Sequence, residues 1–237
     1  MQQRLPSMLA PQLLFAHRGA RAHEQENTLP AFALAVKLGA TGLESDVWLT
    51  RDGVAVLDHD GLVGSRLRRR SIKDVDSAEL PPHIPTLEQL LDLAAKHGLA
   101  VSVDVKDREA FSVLRSMLLS RPNQVDHTYL CCEDFDVLRE IAPGLRDVRL
   151  VDSSRLAKMK DGPERRLAQL ADLGVAALNM HHSDWNGGLV TLAHRFERLA
   201  FAWDAQFDHT LTELLRMGVD AVYSDWVDRM VDAARAV

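Results

Sequence analysis

The chain is predicted to fold as a (β/α)8 barrel with a β-hairpin and a short excursion after its second strand. Strand-length apolar runs alternate with helix-length amphipathic segments along the whole chain, about eight times, the number of units that closes such a barrel. At 237 residues the chain is long enough for one such fold and its core, so residues 1–237 are read as one domain. An open doubly wound sheet would usually bring a glycine-rich phosphate turn after an early strand, whereas His17-Arg18-Gly19 holds a single glycine.

Leu13–His17 reads as a buried first strand. Asn27-Thr28 signals a helix start with Pro30 in the first turn; Phe32, Val36 and Leu38 form its apolar face, and Gly39 closes it. Next come two strand-like runs, Gly42–Leu49 and Val54–Asp58, around Thr50-Arg51-Asp52-Gly53. Asp-Gly between such runs signals a hairpin, because glycine accepts positive φ. Gly61–Pro85 is polar and broken by prolines, and is read as an excursion over one end of the fold. Thr86 caps a second helix with Leu87, Leu90, Leu91 and Ala94 at helical spacing and Gly98 as its stop. Leu99–Lys106 is the next strand. Further strands are predicted at Thr128–Cys132, Val148–Asp152, Val175–Met180, Leu199–Asp204 and Ala221–Ser224, with helices starting near Asp134, Pro163, Leu189, Thr210 and Trp226.

A formal net charge of −6 argues against a general nucleic-acid binder, which carries a basic excess. The local basic run Arg66–Arg70 with Lys73 is read as a solvated loop. Cys131 and Cys132 are adjacent and face opposite sides of a strand, so no disulfide framework is expected. Pro6 and Pro11 interrupt the N-terminal region, which lacks a secretory apolar core, and no run of about 20 apolar residues occurs. These features predict a cytoplasmic protein with no membrane span.

Barrel enzymes carry their chemistry at the C-terminal ends of the strands. Here those ends hold His17-Arg18, Glu44 and Asp46, Asp104 and Lys106, and Trp203-Asp204. Side chains alternate along a strand, so Glu44 and Asp46 share one face, as do Asp104 and Lys106. Two carboxylates on one face repel each other unless a cation or proton intervenes; the competing reading is the solvated face of an edge strand. If Glu44, Asp46 and Asp104 converge, an all-oxygen ligand set favours one divalent cation of the hard kind, Mg²⁺ or Ca²⁺. Arg18 and Lys106 beside them suit a phosphate. His17 and His59 supply two imidazoles that can exchange protons near neutrality, as cleavage of a phosphodiester requires.

The ordered set His17-Arg18-Gly19, Glu26-Asn27-Thr28, Glu44-x-Asp46, Thr50-Arg51-Asp52-Gly53, His59-Asp60, Pro85-Thr86-Leu87-Glu88, Asp104-x-Lys106 and the closing Gly218–Asp228 segment resembles the glycerophosphodiester phosphodiesterase family. The resemblance runs from about Phe15 to Asp228. It implies a TIM barrel and metal-dependent hydrolysis of a small glycerophosphodiester to an alcohol and glycerol 3-phosphate. By motif, His17 and His59 are the implied acid–base pair, and Glu44, Asp46 and Asp104 hold the metal. Arg18 and Lys106 contact phosphate, and Trp203 stands against the glycerol or alcohol moiety. The chain departs from the family at Asp104, where glutamate is more common, and at Asp204-Ala205-Gln206, where Thr-Val-Asn is usual.

Two alternatives share these residues: a lysophospholipase D-like enzyme that accepts an acyl chain, and a non-catalytic barrel that binds phosphorylated ligands. An amidohydrolase-type metal barrel needs two alternating histidines on the first strand, and Ala16-His17-Arg18-Gly19 lacks them. Elsewhere, His181-His182 would face opposite ways on a strand and is read as loop. His194 is read as structural or exposed, and Ser224-Asp225 as a cap before the last helix. Trp48 and Trp226 are read as core or interface aromatics, and Glu26 and Asn27 as braces.

Overall fold

The structure, a computed structural model, describes residues 6–64 and 68–237; Arg66 of the basic run lies outside them. The first part of the chain gives β1 (Leu13–Ala16), α1 (Leu29–Leu38), β2 (Gly42–Leu49), β3 (Ala55–Leu57), β4 (Leu62–Val63), β5 (Arg70–Ser71), α2 (Leu87–His97) and β6 (Ala100–Val105). Then follow α3 (Ala110–Leu119), α4 (Pro122–Val125), β7 (Thr128–Cys132), α5 (Phe135–Ile141), β8 (Arg149–Ser154) and α6 (Gly162–Leu173). The last part holds β9 (Ala177–His181), α7 (Gly187–Arg195), β10 (Leu199–Trp203), α8 (Asp208–Met217), β11 (Ala221–Ser224) and α9 (Val227–Arg235).

Strands β1, β2, β6, β7, β8, β9, β10 and β11 pair in parallel in that order, and β11 returns to β1. The barrel is closed, with a helix after each of its strands. The hairpin arm β3 runs antiparallel on β2, pairing Val47 with Leu57 and Leu49 with Ala55; Gly53 takes φ +79° in its turn.

The first two helices form as their end signals dictate. Thr28 Oγ1 accepts from Ala31 N, and Gly39 adopts the left-handed conformation that ends α1. Thr86 and Gln89 make a reciprocal capping box, and Gly98 closes α2. No helix is predicted between Lys106 and Thr128, yet α3 and α4 lie there, with Asp107 Oδ1 accepting from Glu109 N just before α3 and Pro122 in the first turn of α4. The position before α3 is Glu109, whose side chain makes no capping bond. Buried Phe111, Leu114 and Leu118 hold that helix on the barrel. The excursion after β3 has a small core of its own, Val56, Val63, Ile72 and Val75 under Trp48.

Strand alternation sorts the residues into two layers. Outward-facing Leu43, Val47, Val101, Val103, Leu130, Leu178 and Val222 pack beneath the helices. Inward-facing Phe15, Tyr129, Phe201 and Tyr223 fill the barrel with an aromatic floor, in which Phe15 and Tyr223 stack at 4.8 Å. Cys131 belongs to the inner layer and Cys132 to the outer, both as free thiols. Gly42 also faces inward, and a methyl group there would collide with the Phe15 ring. Among the described residues no helix is long and apolar enough to cross a membrane.

The N-terminal strap is tied to the barrel end opposite the motif residues. Fully buried Asp220 accepts bonds from Ser7 Oγ at 2.6 Å, Met8 N at 2.7 Å and Ala200 N at 2.7 Å, and pairs with His194 Nε2 at 2.8 Å. Burial alone would raise the Asp220 carboxyl, but its bonds to His194, Ser7 and Ala200 outweigh that and lower it. Because the folded value lies below the unfolded one, the stabilisation is complete above the ordinary carboxylate range and is lost as pH falls through the folded value. Asp220→Asn is expected to cost about 2–3 kcal/mol at neutral pH, with the gap to the parent narrowing in acid. Denaturant melts across pH test this, and equal midpoints at pH 7 would refute it. Gly42→Ala is expected to cost about 1–3 kcal/mol by displacing Phe15, read as a lower midpoint in the same melts.

Candidate active site

Above the aromatic floor the inward-facing positions turn polar. The transition is at Ser102, whose Oγ lies 3.0 Å from the Tyr223 hydroxyl. Parallel pairing sets Glu44 beside Ser102 and Asp46 beside Asp104, so the strand register itself aligns the acids. A cavity of about 410 Å³ opens above them at the C-terminal end of the barrel, lined by His17, Arg18, Glu44, Asp46, His59, Asp104, Lys106 and Trp203 among others. All eight residues singled out from the sequence meet there.

The turn after β1 carries two of them. Arg18 sits at φ +52°, which lets its backbone N–H donate to Glu44 Oε2 at 2.9 Å. Gly19 follows at φ +82°, and a side chain there would come within 2.8 Å of Ala31. The Arg18 guanidinium reaches Glu26 at 3.1 Å and Asp46 at 3.1 Å, the second a charge contact without hydrogen-bond alignment. Asn27 braces the next layer: its amide donates to Asp46 at 3.4 Å and accepts from Ser45 Oγ at 2.7 Å.

His17 is oriented from behind. Its Nδ1 lies 2.6 Å from Asp225 Oδ1, while Nε2 points to the cavity, 3.9 Å from Glu44. Burial would lower the imidazole, but Glu44 and Asp225 outweigh it, with Arg18 opposing them, and its pKa ends above the ordinary histidine value. Asp225 itself is lowered, since His17 and Arg21 overcome its burial. His59, just past the hairpin arm, is more open and pairs with Asp60 at 2.9 Å.

The acids are held against strong desolvation. Glu44 is pushed up to about 7 by burial, with His17 opposing and Asp46 adding to the rise. Asp104 is pushed up to about 6 by burial, with Lys106 opposing. The Lys106 ammonium stands 2.5 Å from Asp104, 3.2 Å from Asp46 and 3.2 Å from Glu133. These carboxylates outweigh its burial and raise its pKa. Asp104 Oδ1 is buried without a hydrogen-bond partner. In donor chemistry an all-oxygen set with an orphaned carboxylate oxygen suits a hard divalent cation, but as the side chains stand Lys106 bridges Asp104 and Asp46, and the three acids do not gather ligand atoms within 4.8 Å of one another.

Glu133, Arg155, Asn179 and Asp225 also belong to this site or its support, and the sequence reading did not place them there. A signal for them existed. Each continues the inward alternation of its strand: Cys131 to Glu133, Val151 to Arg155, Ala177 to Asn179 and Tyr223 to Asp225. The earlier reading of Asp225 as a helix cap is therefore revised; Ser224 Oγ accepts from Trp226 N, and Asp225 holds His17. His194 is structural, through Asp220.

His182 lies in a turn, as read, whereas His181 is the last residue of the strand. The strand ends at His181 and a tight turn, His182–Asp184, begins at once, so alternation stops. The two rings then lie together, centroids 4.3 Å apart and tilted by 34°. His181 packs edge-on to Trp203 at 4.7 Å. Burial and neighbouring His181 lower the His182 imidazole.

Residues 17–229 match the Glycerophosphoryl diester phosphodiesterase family. Human glycerophosphodiester phosphodiesterase 1 is 31% identical over 152 residues, covering 56% of this chain and 46% of the human protein. A glycerophosphodiester phosphodiesterase of Bacillus altitudinis is 24% identical over 242 residues, covering 92% of this chain and 96% of the relative. This chain therefore spans nearly the whole bacterial relative but about half the length of the human one. Among solved structures, an Oleispira antarctica phosphodiesterase in complex with the product sn-glycerol-3-phosphate superposes with a TM-score of 0.80 at 22% identity, over 94% of this chain and 96% of that one. Glycerophosphodiester phosphodiesterase from Thermotoga maritima gives 0.78 at 22% identity, over 93% and 97%. Relatives with these names are phosphoric diester hydrolases. A TIM barrel whose first-strand histidine, acidic second strand and hairpin histidine all fall inside the matched span identifies the chain as belonging to the glycerophosphoryl diester phosphodiesterase family.

Proposed function

We propose that this chain, working as one domain, hydrolyses small glycerophosphodiesters to an alcohol and glycerol 3-phosphate, with a divalent metal and two histidines. The observation that carries this reading is the shared cavity, in which His17, oriented by Asp225, and His59 open onto the same carboxylates and cations. Family membership and the neighbour bound to sn-glycerol-3-phosphate support it.

Glu44, Asp46 and Asp104 would hold one Mg²⁺ or Ca²⁺, which supplies positive charge to neutralise what builds on the phosphate oxygens in the transition state. Arg18 and Lys106 would meet the non-bridging oxygens: Glu26 fixes the guanidinium fork, and Lys106 bridges Asp104 and Asp46. The hydrogen bond to Asp225 places the proton on His17 Nδ1, leaving the Nε2 lone pair toward the cavity. There it takes the proton of the attacking hydroxyl, either water or the substrate's own glycerol 2-hydroxyl; in the second case a cyclic phosphate forms first and water then opens it to glycerol 3-phosphate. His59 delivers a proton to the leaving alcohol oxygen. Trp203 offers an apolar wall to the glycerol or the alcohol.

The assay is hydrolysis of glycerophosphocholine, glycerophosphoethanolamine, glycerophosphoglycerol and lysophosphatidylcholine, each with Mg²⁺ or Ca²⁺ and again with excess EDTA. Glycerol 3-phosphate should accumulate only with metal. Turnover confined to the lysolipid would favour the acyl-accepting enzyme, and ligand binding without turnover would leave a non-catalytic barrel. His17→Ala and His59→Ala should each reduce kcat by about 10²–10⁴-fold with little change in the thermal midpoint; near-parental turnover in either removes that imidazole from the mechanism. Asp104→Asn should raise the metal concentration needed for half-maximal rate by about tenfold or more, read from a metal titration of initial rates.

A further inference from the structure

Outside the all-oxygen set, the rim of the barrel carries a second group of ligand-type side chains. One ligand atom from each of His181, His182 and Asp204 lies within 4.8 Å of the others. Two imidazoles and a carboxylate form a different donor set from that of Glu44, Asp46 and Asp104. Nitrogen donors select ions of the zinc group over magnesium or calcium.

The local backbone explains how the three come together. The turn at His182–Asp184 brings the second histidine round to the side of the first. Asp204 occupies φ +61°, a conformation that non-glycine residues rarely adopt, and its Oδ2 lies 3.2 Å from His181 Nε2. Gln206 Nε2 fixes its other oxygen at 3.1 Å. Two imidazoles bound side by side to one ion, each about 2.0–2.1 Å from it, need rings that lie together and open toward a common edge. The 4.3 Å separation and 34° tilt suit that arrangement.

The surroundings are compatible as well. Ser183 Oγ lies 2.8 Å from His181 Nδ1 and can accept its proton once Nε2 becomes a ligand, the usual outer-shell role. Ser183 N also points at Nδ1, at 3.2 Å, and that contact must lengthen when Nδ1 is protonated. Arg155 is the nearby cation, and its charge is balanced by Asp184 at 2.6 Å.

We infer that His181, His182 and Asp204 form a second metal site, specific for a nitrogen-preferring divalent ion of the zinc class and independent of the magnesium or calcium site. Asp204 and Trp203 both line the catalytic cavity, and His181 touches Trp203. An ion held here therefore sits in the wall of the active site.

The test is a calorimetric titration of untagged protein with Zn²⁺ in the presence of saturating Mg²⁺, repeated with Co²⁺ to record its visible absorption. The parent should bind one equivalent, with a cobalt spectrum of nitrogen–oxygen ligation. His182→Gln and Asp204→Asn should each weaken binding at least tenfold, while Asp104→Asn should leave it unchanged. His182 and Asp204 lie on surface turns, and a thermal melt of each variant checks that the fold is retained. Absence of zinc binding in the parent, parental affinity in folded His182→Gln, or loss of binding in Asp104→Asn would each overturn the assignment. Because the readout is binding alone, failure of the phosphodiesterase reading leaves it untouched.

Discussion

Carboxylates buried directly above an aromatic floor are the constraint around which the rest of this site is arranged. Glu44 and Asp46 are buried and Asp104 is partly so, and burial resists the ionisation of Glu44 and Asp104. Such a layer persists only when positive charge and hydrogen-bond donors surround it. Arg18, Lys106, Asn27 and the Arg18 backbone N–H supply them. The same compensation that lets the barrel fold with three acids at its mouth sets Arg18 and Lys106 among them and leaves Asp104 Oδ1 without a hydrogen-bond partner.

The positions of the two histidines follow from how each is supported. His17 is clamped between Asp225 and the acid layer at the end of β1, so its ring has one defined orientation. His59 stands on the hairpin side, more exposed and supported by its neighbour Asp60. The cavity is thus lined by two unlike imidazoles, one half-buried and held by Asp225, the other more exposed beside Asp60. The clamp joins the two ends of the barrel sequence, since Asp225 follows the last strand and His17 the first. Closure of β11 onto β1 therefore has a direct chemical consequence.

Much of the fold was legible because its signals are local. Thr28 with Gly39 and Thr86 with Gly98 mark helix ends by side-chain and φ requirements that act within a few residues. The Asp-Gly turn marks the hairpin in the same way. The helix α3 was missed although its signals are present: Asp107 caps its start, and Ala110, Phe111, Leu114 and Leu118 recur at helical spacing. The sequence reads His181-His182 as loop, and a turn does begin at His182; what a local rule could not show is that this turn brings the two rings together.

The sequence by itself determined the alternation of each strand, and with it which residues face inward: apolar ones low in the barrel, charged ones at the C-terminal ends. That periodicity is a property of the extended backbone and needs no partner strand. Only the tertiary structure decided which of those residues meet. The stagger of parallel pairing set Asp46 beside Asp104, and closure of the barrel brought Asp225 onto His17. The ends of β9 and β10 then put two imidazoles against Asp204, because distances between strands are fixed by register and closure, which no single segment encodes.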